Sequence, residues 1–179
     1  MSCVHLRPES SLLLVIDVQE KFLAPIWEAD RVLARCDFIC QVARLLNVPI
    51  LGTEQYPERM GGTHPHLASF VSDPVRKMKF SGFDAVAQQD RRQIVIVGIE
   101  THICVSLTAH GLLQAGYEVV VCPDAVSART QDRHKLGIER IRDAGAAPAH
   151  TEAVAYEWCQ TAENPAFRDM LNIVKGSQF

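Results

Sequence analysis

QIVIVGIETHICVSLTAHGLL, residues 93–113, is the stretch on which the fold turns. Ile94, Val95, Ile96 and Val97 are consecutive β-branched residues, and such a run suits a strand buried on both faces. Gly98 is read as its end. Helix formers follow, with Val105, Thr108, Leu112 and Gln114 leading to the stop signal Gly116. Cys104 falls where the strand has turned and a helix is starting. Free N–H groups and the helix dipole at such a place favour a thiolate, the nucleophilic form of the residue. The competing reading of Cys104 is a small buried hydrophobe.

Upstream, Leu12 to Ile16 is wholly apolar and ends at Asp17, which predicts a buried strand with a carboxylate at its C-terminal end. Apolar residues at helical spacing (Val32, Leu33, Cys36, Ile39, Cys40, Ala43 and Leu46) predict a helix over 30–46. Val48 to Thr53 is a second strand. The segment 54–65, EQYPERMGGTHP, reads as a loop, and 66–70 as a helical turn. Val75 to Phe80 is a short strand whose alternation places Lys77 and Lys79 on the same face. Asp84 is the expected cap of a short helix to Gln89.

Downstream, Tyr117 to Cys122 is a strand closed by Pro123 and Asp124. Asp132 is the expected cap of a helix to Ala144, with Leu136, Gly137, Ile138 and Ile141 turned inward. A weak strand over 146–151 and helices over 152–159 and 164–174 complete the chain. Strands and helices alternate almost throughout. That order predicts an α/β fold in three layers, a mostly parallel sheet with helices on both faces, built as one domain over 1–179. Ligands bind such sheets outside the C-terminal strand ends, where Asp17, Thr53, Lys77, Lys79, Cys104 and Asp124 all fall.

Composition narrows the function. A net charge of −3 without a basic cluster argues against a nucleic-acid or anionic-membrane surface. No apolar run approaches membrane-spanning length, and the first residues lack the form of a secretory signal, so a cytoplasmic protein is expected. None of the six cysteines forms a CxxC pair; a chain this long without an export signal disfavours a disulfide framework, and the lack of clustered ligands disfavours a zinc site.

The strand-end residues form a chemical set. Asp17 can take a thiol proton and return it to a leaving group. A lysine can hold the charged forms of its neighbours by opposite charge. Cys104 can attack an electrophilic carbon, and N–H groups at the turn can form an oxyanion hole. Against this stand blander roles: Asp17 as a loop cap, and each lysine as a solvated charge.

LLLVIDVQEKF at 12–22, TEQYPERMGGTHPHL at 53–67, KMKFSGF at 77–83, VGIETHICV at 97–105 and PDAVSAR at 123–129 together resemble the isochorismatase-like cysteine hydrolase superfamily over essentially the whole length. The branch of isochorismatase domain-containing proteins is the most similar. The resemblance implies a Rossmann-like fold and a catalytic triad of Asp17, a lysine and Cys104. The family spacing K-x-x-[YF]-[ST] selects Lys77, with Lys79 as the alternative. The resemblance also implies a cis peptide between Ile99 and Glu100 that aims the Glu100 N–H, with that of Cys104, at the oxyanion.

Relatives that are nicotinamidases carry an Asp-x-His metal motif after the second strand, which is absent here, so no metal and no cofactor is expected. His64 and His66 read as surface residues. Gln19, Phe22 and Tyr56 are the candidates for the substrate pocket. The expected activity is hydrolysis of a C–N bond in a small molecule through a Cys104 thioester. The alternatives are an ether hydrolase using Asp17 as acid, a non-catalytic interaction protein, and a redox sensor in which Cys122 would have to approach Cys104. Relatives commonly assemble as homo-oligomers, and the same is expected here.

Overall fold

The computed structural model describes residues 4–87 and 89–177. Cys3, and Gln88 within the expected helix to Gln89, lie outside the described residues. Six strands form one sheet: β1 (Ser11–Ile16), β2 (Ile50–Gln55), β3 (Val75–Lys77), β4 (Gln93–Ile99), β5 (Glu118–Ser127) and β6 (Ala147–Pro148). Their order is β3-β2-β1-β4-β5-β6 and every pairing is parallel. The helices are α1 (Glu20–Leu23), α2 (Ala29–Leu45), α3 (Pro57–Met60), α4 (Pro65–Ala68), α5 (Phe83–Val86), α6 (Ser106–Gln114), α7 (Gln131–Asp143), α8 (Thr151–Cys159) and α9 (Phe167–Gly176). The fold is therefore α/β with a parallel sheet between helical layers.

The period of two along each strand divides the core. Leu13, Val15, Val95, Val97 and Val120 join one apolar cluster with α2, α8 and α9. Leu12, Leu14, Ile16, Ile94 and Ile96 join the other, against α5, α6 and α7. Strands covered on both faces must be apolar at every position, which is why they read as runs and not as alternations. The order reverses between β1 and β4, which leaves a crevice at their C-terminal ends.

Several local expectations are corrected. Gly98 does not end β4; it sits inside the strand at φ +111°, where a Cβ would fall 2.1 Å from the Ile16 carbonyl oxygen. Only glycine permits that approach of β4 to β1. A β-bulge shifts the register against β5 at this point, so β5 passes Pro123 and runs on to Ser127. β3 stops at Lys77 instead of Phe80. The 54–65 segment is not only loop: β2 runs through Gln55, and α3 and α4 each begin on a proline, a residue preset for a first helical turn.

Helix caps and faces also differ. Thr130, not Asp132, caps α7, its side chain accepting from the Arg133 N–H at 3.3 Å. Gly82, not Asp84, holds the cap position of α5. Leu136 is 65% exposed, while Gly137 and Ile141 face inward. α2 is buried over a wider arc than its periodicity predicts, Phe38 and Val42 included, because α8 and α9 cover its far side.

Candidate active site

β1 delivers Asp17 into the crevice through a left-handed backbone (φ 51°), which places the carboxylate beside the end of β2. Aspartate tolerates that conformation better than most residues. The Asp17 N–H donates to the Thr53 carbonyl at 3.1 Å, and its own carbonyl accepts from the Gln19 N–H at 2.8 Å. Its Oδ1 accepts from the Thr53 hydroxyl at 2.7 Å, and its Oδ2 from Lys77 Nζ at 2.7 Å. The ion pair is buried, with only 7% of the Lys77 side chain exposed.

Lys77 also donates to Gln55 Oε1 at 2.7 Å and to the Phe80 carbonyl at 3.1 Å. Lys79 instead pairs with Asp84 at 3.0 Å, its side chain 77% exposed. Parity could not separate the two lysines because it assumed a strand through Phe80. β3 ends at Lys77, and the chain bends back so that the Phe80 carbonyl meets the Lys77 ammonium. The Gln55 amide is fixed at both ends, since its Nε2 donates to the Met78 carbonyl at 3.0 Å.

After β4 the chain passes a cis peptide between Ile99 and Glu100 and enters a π-helical turn, Thr101–Val105, which leads into α6. Cys104 sits in that turn, buried. Its thiol shares the cavity wall with the Asp17 carboxylate, and Lys77 and Glu100 act on it as well. Burial and the Asp17 charge push the thiol up from 9.0 to about 12, while Lys77 and the Glu100 N–H pull it the other way and do not prevail. The resting residue is thus a protonated thiol against a carboxylate. The expectation of a helix-stabilised thiolate is corrected: desolvation outweighs the donors at the turn.

The turn is held from several sides. The Thr108 hydroxyl donates to the Cys104 carbonyl at 2.6 Å and accepts from the Gly82 N–H at 2.7 Å, tying the segment after Lys77 to the segment of Cys104. Thr101 Oγ1 and His134 Nδ1 lie 3.0 Å apart. Gly137 lets α7 close on the turn, since a Cβ there would fall 2.9 Å from Thr101 Cγ2. The Glu100 carboxylate accepts from Arg129 Nε at 3.1 Å.

A cavity of ≈ 140 Å³ opens over the sulfur. Its apolar walls are Phe22, Phe80, Ile99 and Ile103; Asp17, Gln55, Glu100 and Cys104 supply the rest. Of the expected pocket residues, Phe22 is there. Gln19 is not: it is fully buried, donating to the Gln55 and Gly61 carbonyls and accepting from the Gln55 N–H, a brace for β2. Tyr56 is not among the lining residues either; its left-handed backbone starts α3 at the surface. Gln55, Phe80, Ile99 and Ile103 were missed as pocket residues. Gln55 ends a strand as Asp17 does, and Ile103 precedes Cys104, so position alone could have suggested both.

His64 and His66 stack edge to face at 5.0 Å. Among the described residues no group of three or more His, Cys, Asp or Glu is placed to hold a metal. Cys122 lies in the cluster on the α2 face and Cys104 in the cluster on the other, so the sheet separates them and Cys122 is no resolving partner. No described helix is long and apolar enough to cross a membrane.

Residues 11–153 match the family model of the isochorismatase domain. Isochorismatase domain-containing protein 2A of Mus musculus is 37% identical over 176 residues, covering 96% of this chain and 85% of its own. Among solved structures, the MAR1 ribonuclease of Caenorhabditis elegans superposes with a TM-score of 0.91 at 29% identity, covering 98% of this chain and 95% of that one. The YcaC gene product of Escherichia coli, described as an octameric hydrolase of unknown specificity, shares the fold at a TM-score of 0.85 and 21% identity, covering 98% and 97%.

Proposed function

Because this chain belongs to the isochorismatase family, we propose that it is a hydrolase that cleaves a C–N bond of a small amide through a Cys104 thioester, with Asp17 and Lys77 completing a triad. The observation that carries this reading is the Cys104 thiol lining one cavity with a carboxylate that is itself ion-paired to Lys77 at 2.7 Å. A thiol with a pKa near 12 needs a base at the moment of attack, and Asp17 is in place to be that base.

In the first half-reaction Cys104 sulfur bonds to the amide carbon as its proton passes to Asp17. The carbonyl π pair moves onto oxygen, where the N–H groups of Glu100 and Cys104 form the oxyanion hole. The intermediate collapses, the C–N bond breaks, and the departing nitrogen takes the proton from Asp17. In the second half, Asp17 draws a proton from water as the water oxygen bonds to the thioester carbon. The C–S bond then breaks and the sulfur recovers that proton. The sum is amide plus water to acid plus amine. Lys77 keeps Asp17 in place and ionised between proton transfers. Proton transfer by a positioned group contributes about 10²–10⁴ in rate, and an oxyanion donor about 10²–10³.

The nematode protein is described as a ribonuclease. A polynucleotide needs cationic contacts along its backbone, and a ≈ 140 Å³ cavity with four apolar walls suits a small molecule better. A homo-oligomer is part of the proposal, supported by the octameric bacterial hydrolase of the same fold.

The test is ammonia release from a panel of short primary amides, with intact-mass detection of an acyl adduct on Cys104. Wild type should turn over, and Cys104→Ala should lose at least about 10³ in kcat/KM. Retained turnover in Cys104→Ala would shift the reading to an ether hydrolase with Asp17 as acid. No adduct and no turnover on any small substrate would favour a non-catalytic role.

A further inference from the structure

We infer that the cavity selects a short, apolar, uncharged acyl group: the substrate is a neutral aliphatic or small cyclic amide, and amides that carry a carboxylate are rejected. This rests on the hydrolase reading above but concerns what the cavity admits, which can be measured without turnover.

Size comes first. A cavity of ≈ 140 Å³ is close to the roughly 150 Å³ that holds a benzene molecule, so the group seated over Cys104 has on the order of six heavy atoms. Phe22, Phe80, Ile99 and Ile103 offer that group no hydrogen bond, so its surface is best satisfied as hydrocarbon.

Charge comes second. The described lining residues include no Lys, Arg or His. The nearest ammonium, Lys77, directs its three N–H donors to Asp17 Oδ2, Gln55 Oε1 and the Phe80 carbonyl. Arg129 is paired with the Glu100 carboxylate, and Lys79 with Asp84. A carboxylate on the substrate would enter beside Asp17, and these three cations of the described residues each already have a carboxylate partner. Burying such a charge unpaired, next to a like charge, is strongly disfavoured. An anionic substrate of the isochorismate type therefore does not match this site, although the family takes its name from one.

Iodoacetamide and iodoacetate test this directly. They are the same size, and each alkylates sulfur with a C–S bond formed, the C–I bond broken and iodide released; they differ in charge alone. The rate ratio at Cys104 is read by peptide mass spectrometry at pH 9 and divided by the same ratio for glutathione. Both reagents need the thiolate, so the raised thiol pKa cancels. The expected normalised preference for iodoacetamide is at least about tenfold, from like-charge repulsion in a partly desolvated site. Phe80→Arg places a cation at the mouth, where the side chain is already largely exposed, and should bring the preference down to about threefold or less.

A normalised ratio near one in the wild type overturns the inference. So does faster ammonia release from succinamate than from butyramide. If the ratio holds while Cys104→Ala turns over amides as well as wild type does, the thioester reading falls and the selectivity of the cavity stands.

Discussion

A thiol held against a carboxylate keeps its proton until an electrophile arrives, and Cys104 is in that position. Its proton is retained by burial first and by the Asp17 charge second. The sign of an Asp17 substitution follows. Asp17→Asn removes a group that raises the thiol pKa, so the pH profile of Cys104 alkylation should move down from about 12, while the proposed hydrolysis should be lost with its proposed base. Lys77→Met removes a group that lowers it, so alkylation at fixed pH should slow further. Alkylation rates from pH 7 to 11 for the three proteins check this, and an Asp17→Asn profile displaced upward would contradict the placement of the carboxylate. The sequence located Asp17 and Cys104 at strand ends but misjudged the state of the thiol. Burial from surrounding side chains is a tertiary property, and no local pattern reports it. Gln19 misled in the same way: its proximity to Asp17 suggested a pocket, whereas its amide is consumed by the backbone of β2.

Among the elements, β4 and the π turn carry the most constraint. Gly98 brings β4 against the end of β1, and the Asp17 carboxylate and the Cys104 turn meet because those two strand ends do. Gly98→Ala would need both a strained φ and a displacement of the Ile16 carbonyl. A loss of about 2–4 kcal/mol is expected, read as a lower urea midpoint, with activity falling even where the protein stays folded. An unchanged midpoint would show that the close approach is dispensable. The strands β1, β2, β4 and β5 were legible as runs because a sheet covered on both faces demands apolar residues everywhere. The extension of β5 past Pro123 was not legible, since it depends on a bulge opposite Gly98 and not on anything near the proline. The π turn was read as an ordinary helix start, since its periodicity over five residues is indistinguishable from that of α6.

Across the whole molecule, the apolar surface is unevenly placed. Val75 and Met78 are exposed together on and just after the edge strand. The proposed homo-oligomer gives that surface a partner, and light scattering should return a mass several times 19.9 kDa. Met78→Glu should lower that mass at micromolar concentration; a monomeric wild type would remove oligomerisation from the proposal. β3 itself has three residues and one neighbour, β2, whereas β1 and β4 are paired on both sides through the middle of the sheet. Lys77, the ammonium of the proposed triad, therefore rides on a short edge strand, whereas Asp17 and Cys104 follow the two central ones. Amide protons of β3 should exchange with solvent by a local opening far cheaper than unfolding. Each such opening separates Lys77 from Asp17 while both cores remain intact, so the enzyme is expected to fall silent in mild denaturant before its secondary structure changes.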